Sequence, residues 1–175
     1  MKSLIAAIAL TLSAILSSGA SVASEVRAEI FGIALGGPKA EVIELLRSRG
    51  ANPRRIGRGE VPPGEIYGVD SSKLDLVGLR ETIVLFDNRG SLVGALLIVD
   101  KTSFDAVLAD LSGKYGRPRG ERSSADEYRF TFSVGTDSIS IDANPTSPSP
   151  TMSIFWRTAE YQEGLDANRM SRRGQ

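Results

Sequence analysis

The sequence predicts an α+β fold of two helix-plus-antiparallel-strand units, with the helices packed on one face of an antiparallel sheet. Three observations support this prediction: two segments with helical periodicity, a hairpin signal between them, and strictly alternating strands in the second half of the chain. Apolar residues recur every 3.6 positions in a helix and every second position in a half-buried strand, so the two element types are distinguishable. Helices and strand runs that occupy separate stretches of chain are typical of α+β folds.

The first elements are a short strand and a helix. Glu29 to Leu35 is predicted as the strand, and a helix is predicted from about Pro38 to Arg49 because its apolar residues share one face. Proline suits the first helical position, and Gly50 is a typical helix stop. Ala51 to Gly64 is rich in Arg, Gly and Pro and is therefore predicted as a polar loop, followed by a short edge strand over Ile66 to Val69.

A β-hairpin is predicted in the middle of the chain. Glu81 to Phe86 and Leu92 to Val99 are rich in β-formers, and the residues DNRG between them suit a type I turn closed by a left-handed glycine. The second strand is continuously apolar. This composition indicates burial on both faces or at a contact between the two units.

The second half repeats the order of helix, polar stretch and strands. A helix is predicted from about Ser103 to Tyr115, because its apolar residues share a face and Gly116 follows it. The polar stretch 117–126 comes next. Alternation then predicts strands over 128–134, 139–143 and 152–156, with the proline-rich segment 144–150 as an exposed loop. Residues 159–168 are predicted as a short terminal helix.

The amino-terminal segment has the pattern of an export signal. Residues 1–23 combine Lys2, an apolar run and the small-residue sequence Ser21-Val22-Ala23, so they are predicted as a cleaved signal peptide. The protein is accordingly predicted to be periplasmic or secreted. Residues 24–168 are predicted as one α+β domain, with two repeats over about 29–100 and 101–168 as an open alternative, and 169–175 as a disordered tail.

The composition excludes several kinds of chemistry. The chain contains no Cys and no His, which removes serine and cysteine triads and the commonest ligands of zinc, copper and haem. No catalytic, metal or cofactor site is therefore predicted. Lys and Arg together number 21, as do Asp and Glu, so no general attraction to nucleic acid or anionic membrane is expected. Without Cys there is no residue to carry a lipid, so no stable membrane anchor is expected.

A family resemblance adds to these patterns. Leu35 to Val42 (LGGPKAEV), followed by an apolar helix that ends in Gly, resembles the LGM(S/T)-x-x-E/Q-V opening of SmpA/OmlA-type (BamE-like) envelope proteins. Two such units in tandem would resemble the β-lactamase inhibitory protein architecture. The run from Ile83 to Pro118 is similar to a pattern of small periplasmic proteins without an assigned role. The resemblance implies an antiparallel sheet with helices on one face that holds other proteins, and it carries over no functional residue.

The candidate partner-binding residues are Arg54, Arg55, Arg58 and Tyr67. The arginines concentrate positive charge after the first helix, as expected of a patch for an acidic partner, an anionic envelope polymer or lipid headgroups. The alternative is a solvated face, because cations near a helix carboxyl end complement its dipole. Tyr67 is a candidate anchor if one sheet face is open for recognition.

The aromatic residues Tyr128, Phe130, Phe132 and Trp156 have strand spacing and are predicted to fill the core. The competing interpretation is the same open sheet face, with Tyr128 or Trp156 as an anchor.

The function predicted from these features is a non-catalytic envelope protein that binds another protein or an envelope polymer. The alternative is a carboxylate-based hydrolase acting on envelope polysaccharide, for which Glu60 and Glu65 flank a loop that would bring them together. A purely structural protein without a specific ligand is the third possibility. The sequence predicts no cofactor, and the oligomeric state is left open.

Overall fold

The computed structural model describes residues 26–60, 63–122, 128–144 and 146–173. The predicted signal peptide, residues 1–23, lies outside the described residues. Within them there are ten strands, three α-helices and two short 3-10 turns: β1 (Glu29–Ile30), β2 (Ile33–Ala34), α1 (Lys39–Ser48), β3 (Arg54–Glu60), β4 (Pro63–Val69), β5 (Leu79–Asp87), β6 (Leu92–Asp100), α2 (Phe104–Tyr115), β7 (Arg119–Arg122), β8 (Tyr128–Val134), β9 (Asp137–Ala143), β10 (Thr151–Arg157) and α3 (Ala159–Arg173), with the turns at Ser71–Lys73 and Lys101–Ser103.

Eight strands form one antiparallel sheet in the order β3-β4-β5-β6-β10-β9-β8-β7, and β1 pairs with β2 in a separate ribbon. β6 and β10 are the central pair, in register from Thr151 opposite Asp100 to Arg157 opposite Gly94. The continuously apolar sequence of β6 fits this central place, because six of its nine residues are buried. The sheet is continuous from one edge to the other.

The predicted fold class is wrong in its arrangement of helices and strands. The protein is mostly β, and its sheet does not divide into two units with helices packed on one face. The side chains of Ile154 and Trp156 belong to the core, whereas Phe155 points to the opposite face of β10. Phe155 contacts Tyr161 of α3, with ring centroids 5.5 Å apart. α3 therefore lies on the opposite side of the sheet from the core.

Two strands replace predicted polar segments. β3 and the start of β4 occupy most of the predicted loop 51–64, and β7 lies in the polar stretch 117–126. Both β3 and β7 are edge strands. Edge strands commonly carry charged and polar residues that protect them from pairing with other chains, so they lack the apolar alternation that identifies a strand in sequence.

The boundaries of the proposed repeat remain a prediction, although the chain order is informative. β3 to β6 are consecutive neighbours on one side of the sheet and β7 to β10 on the other.

The terminal helix α3 continues to Arg173, into the segment 169–175 that the sequence predicts to be disordered. Among the described residues, none of the helices combines the length and the apolar character needed to cross a membrane.

The predicted hairpin is confirmed. β5 and β6 pair antiparallel, and the turn between them contains Gly90 at φ +80°. The buried carboxylate of Asp87 accepts hydrogen bonds from the backbone N–H groups of Arg89 (3.0 Å) and Ser91 (2.8 Å). Burial raises the pKa of Asp87, but hydrogen bonds from Ser91 and Arg89 outweigh that effect and hold the pKa below its usual value.

The β1–β2 ribbon is held against the sheet by a buried carboxylate. Arg27 donates to both oxygens of Asp137, from Nε at 2.8 Å and from Nη2 at 3.0 Å. The backbone N–H of Ala28 donates to the same carboxylate at 2.9 Å, and the Asp137 side chain is fully buried. A Cβ on Gly135 would lie 2.2 Å from the carbonyl oxygen of Val26, so this close approach requires glycine.

The aromatic residues divide between core and surface. Phe132 and Trp156 are buried, as predicted, and Phe130 is half-buried against Phe104 at a centroid distance of 5.6 Å. Tyr128 is 39% exposed, so the prediction that it fills the core is wrong. Tyr128 is more exposed than the other aromatic residues because it is the first residue of β8, which lies one strand from the edge of the sheet.

A candidate binding groove beside the first helix

Strand geometry separates the predicted arginines. Arg55 is paired with Tyr67 and Arg58 with Glu65, whereas Arg54 is paired with Gly68. Paired residues in an antiparallel sheet point to the same face, so Arg55 and Arg58 share the face of Tyr67, and Arg54 points to the other face. A bulge between Arg55 and Gly57 keeps Arg58 on the same face as Arg55, although the two arginines are three positions apart.

The carboxylate of Glu65 lies at the centre of this face. Lys39 Nζ donates to Glu65 Oε2 at 2.6 Å, and Arg55 Nε lies 3.4 Å from Oε1. Tyr67 donates from its hydroxyl to Oε2 at 3.5 Å. The hydrogen bond from Lys39 lowers the pKa of Glu65, and the same hydrogen bond raises the pKa of Lys39. Both side chains therefore remain charged across the neutral range.

Helix α1 forms the other wall. Lys39, Ile43 and Arg47 recur every four residues, so they lie along one stripe of α1 that faces Tyr67 across a hollow. Tyr67 is held by an edge-on contact with Phe86, with ring centroids 5.6 Å apart. A second hollow adjoins the first at Lys39. We call the two hollows together the cationic groove. The charged and aromatic residues that line it are Lys39, Glu44, Arg47, Arg58, Glu65, Tyr67 and Asp87, and Arg55 adjoins it through its salt bridge with Glu65.

The cationic groove has more positive than negative side chains. Arg47 and Arg58 are exposed and form no salt bridge with another described residue, whereas Glu65 is already shared by Lys39 and Arg55. The groove also borders the edge of the sheet, because β3 pairs with β4 on one side only. Its outer backbone groups are thus available to an added strand.

Of the predicted residues, the structure brings Arg55, Arg58 and Tyr67 together and leaves Arg54 on the opposite face. Sequence reasoning missed Lys39 as a groove residue and treated Glu65 only as a catalytic candidate. The signal for Lys39 was present, since Lys39 and Arg47 have the spacing of one helix face. The sequence alone does not show what this helix face lies opposite, because the segment 51–64 is predicted as a loop and not as the strands β3 and β4.

A separate hollow, which we call the central cavity, lies over the middle of the sheet and has a volume of about 330 Å³. Its floor consists of side chains from the central strands β6 and β10, and its walls come from the β1–β2 ribbon, the segment before β5 and α2. The lining residues are Glu29, Ile30, Phe31, Gly32, Asp75, Leu76, Leu97, Val107, Asp110, Leu111, Lys114, Tyr115, Ile154 and Trp156.

The mouth of the central cavity carries ionisable groups. Lys114 Nζ forms a salt bridge with Glu29 Oε2 at 2.9 Å, and the hydroxyl of Tyr115 hydrogen-bonds to the backbone of Glu29 at 3.0 Å. Asp75 and Asp110 are exposed and have no salt-bridge partner among the described residues. In the part of the chain that the structure describes, no three carboxylates are placed to share a metal ion.

Comparisons of the chain with protein-family models, with curated proteins and with solved structures give no match.

Proposed function

We propose that the protein is an exported, non-catalytic binding protein of the cell envelope, and that the cationic groove binds an acidic, extended segment of another protein. The observation that carries this proposal is a surplus of cations over free carboxylates. Four cationic side chains, counting Arg55, meet three carboxylates, and two of these, Glu65 and Asp87, already form salt bridges. Arg47 and Arg58 have no salt-bridge partner among the described residues, so acidic side chains from another protein complement them without breaking a salt bridge seen there.

A protein segment fits this groove better than a polymer without a peptide backbone. The edge strand β3 offers backbone donors and acceptors that pair with an added strand, a common mode of peptide recognition. Tyr67 and Ile43 supply partly buried apolar surface between the cations. Tyrosine and arginine are enriched among the residues that dominate the affinity of protein interfaces.

The test uses a fluorescein-labelled acidic peptide of about twelve residues, measured by fluorescence anisotropy at low and high salt. We expect binding that weakens with salt, because the charges are exposed. The variant Arg55→Ser/Arg58→Ser should weaken binding about tenfold or more, whereas Arg54→Ser should change it less than about twofold. The control removes one arginine from the opposite face of the same strand. Arg58→Ser alone is its matched groove variant, and it should still weaken binding about threefold or more.

Three outcomes would contradict the proposal. One is equal loss of binding in the control and the groove variant, and another is binding that does not respond to salt. The third is binding to vesicles of anionic lipid or to anionic polysaccharide without binding to the peptide. In cells, a photo-reactive amino acid in place of Arg58 should cross-link to a protein, and the same amino acid in place of Arg54 should not.

The second candidate function is a carboxylate-based hydrolase of envelope polysaccharide. The observation in its favour is that Glu29, Asp75 and Asp110 all line the central cavity. Its test is release of reducing ends from purified envelope polysaccharide by the wild-type chain. Loss of this activity in both Asp75→Asn and Asp110→Asn would support the hydrolase, and no release by the wild type would remove it.

A further inference from the structure

We propose that the central cavity is a binding site for a small amphipathic ammonium ion whose apolar body carries a hydrogen-bond acceptor. This site is distinct from the cationic groove, and the proposal does not depend on the groove binding a protein. A volume of about 330 Å³ lies within the range of small-molecule sites. The floor is built on the central strands, which are paired on both sides, so the site rests on an inner part of the sheet.

The inside of the central cavity is apolar. Leu97 and Ile154 form part of the floor and are buried, with exposed fractions of 1% and 0%. Val107 and Leu111 of α2 and Leu76 line the walls. An apolar lining with a few polar groups is typical of sites that enclose most of a ligand's surface.

The charge at the mouth selects a cation. Lys114 is neutralised by its salt bridge with Glu29, which leaves the carboxylates of Asp75 and Asp110 without a described counter-ion. An ammonium group at the mouth gains from both carboxylates, whereas a carboxylate ligand is repelled. Because the two aspartates are exposed, the preference should weaken as salt is added.

Trp156 supplies an observation that is independent of the charge. Its indole is 5% exposed and lines the central cavity, and its Nε1 donor has no hydrogen-bond partner among the described residues. Buried donors are nearly always paired in folded proteins. An acceptor on the body of the ligand would complete this hydrogen bond after a small movement of the ring, and the indole face itself attracts cations.

The backbone at the rim also has an unusual conformation. Phe31 has φ +50°, and it is the only residue other than glycine with positive φ in the described part of the chain. A guanidinium hydrogen bond from Arg49 to the carbonyl oxygen of Phe31 holds this conformation. Such conformations are costly and occur often at ligand sites, which is consistent with a rim shaped for binding.

The first experiment uses the single tryptophan of the chain as the reporter. Phenoxybutylamine, phenoxybutanol and phenoxybutanoate share one body and differ in the charge of the head group. We expect the amine to change Trp156 fluorescence with saturation, and to bind about tenfold more tightly than the alcohol and still more tightly than the carboxylate. Equal affinity of the three probes, or no saturation by the amine, would overturn the proposal.

Variants test the charged mouth. Asp75→Asn/Asp110→Asn should reduce the preference for the amine over the alcohol to about twofold or less, because the uncompensated carboxylates are gone. Asp105→Asn, an exposed carboxylate of the same helix outside the lining, should leave the preference unchanged. Thermal unfolding of each variant verifies that the fold is intact. If the double variant keeps the full preference, the mouth does not select the cation.

A second pair of probes tests the indole donor. Phenylpentylamine replaces the ether oxygen of phenoxybutylamine with a methylene group. Calorimetric titration should give tighter binding of the ether by about fivefold in the wild type and equal binding in Trp156→Phe, which keeps an aromatic ring and removes the donor. Equal binding of both amines to the wild type would refute the role assigned to Nε1.

Discussion

Replacement of Asp137 by alanine should destabilise the protein more than the loss of an exposed salt bridge does. The Asp137 side chain is fully buried and accepts three hydrogen bonds, two from Arg27 and one from the backbone N–H of Ala28. Removal of one partner from a buried ion pair typically costs about 3–5 kcal/mol. The Arg27 side chain is 28% exposed and keeps contact with water, so we expect a loss near the lower end, about 3 kcal/mol. Ala28 is itself fully buried, so its N–H gains no water in exchange.

The expected loss is large enough to measure in a thermal melt. At about 2–4 °C of Tm for each kcal/mol in a chain of this size, Asp137→Ala should lower Tm by about 10 °C. Urea unfolding, followed by Trp156 fluorescence and by circular dichroism, gives the free energy directly. The variant also frees the segment before β1, so hydrogen exchange should increase in the β1–β2 ribbon.

The matched control is Glu160→Ala. Arg89 Nη2 donates to both oxygens of Glu160, at 3.1 and 2.8 Å, but these side chains are 67% and 68% exposed. Exposed pairs contribute about 0–1 kcal/mol, so this variant should melt close to the wild type. A loss below about 1 kcal/mol in Asp137→Ala, or equal losses in the two variants, would refute the reasoning from burial.

Three further predictions concern the sheet, its central hairpin and the core. A Cβ on Gly64 would lie 1.9 Å from the carbonyl oxygen of Phe86, so Gly64→Ala should lower the free energy of unfolding in urea by about 2–3 kcal/mol. The control is Gly57→Ala, which should not destabilise the protein because no atom lies within 4 Å of the added Cβ. Similar losses in both variants would contradict this prediction. The pKa of Asp87 is lowered in the folded state, so its contribution is present above the unfolded value of about 3.9 and lost as pH falls through the folded value. The stability difference between wild type and Asp87→Asn should therefore shrink below about pH 4, and a difference constant from neutral to acidic pH would argue against it. Trp156 is 5% exposed, so acrylamide should quench it weakly in the native protein and strongly in urea; strong native quenching would place it at the surface.

Local patterns predicted the elements that have local causes. The helix expected from about Pro38 to Arg49 is α1, and the expected hairpin is β5–β6, extended by a few residues at its open end. In both places the periodicity, the turn residues and the glycine stop agree with one another, and agreement of this kind is what makes a sequence locally informative.

The edge strands escaped prediction because their sequences lack an apolar face. β3 contains three arginines and two glycines, a composition typical of loops. It is a strand because β4 supplies backbone partners along its length. The same error concealed the candidate groove. Only in a strand do side chains alternate between two faces, and this alternation places Arg55 and Arg58 on the face of Tyr67, beside α1.

The sequence by itself determined most helices and inner strands, the absence of Cys and His chemistry, and the clustering of arginines after the first helix. Tertiary structure alone decided that one continuous sheet forms, that α3 lies across its other face, and that Arg54 separates from Arg55 and Arg58. The physical reason is range: periodicity and turn residues act over a few positions, whereas strand order, register and a bulge depend on backbone partners distant in the chain.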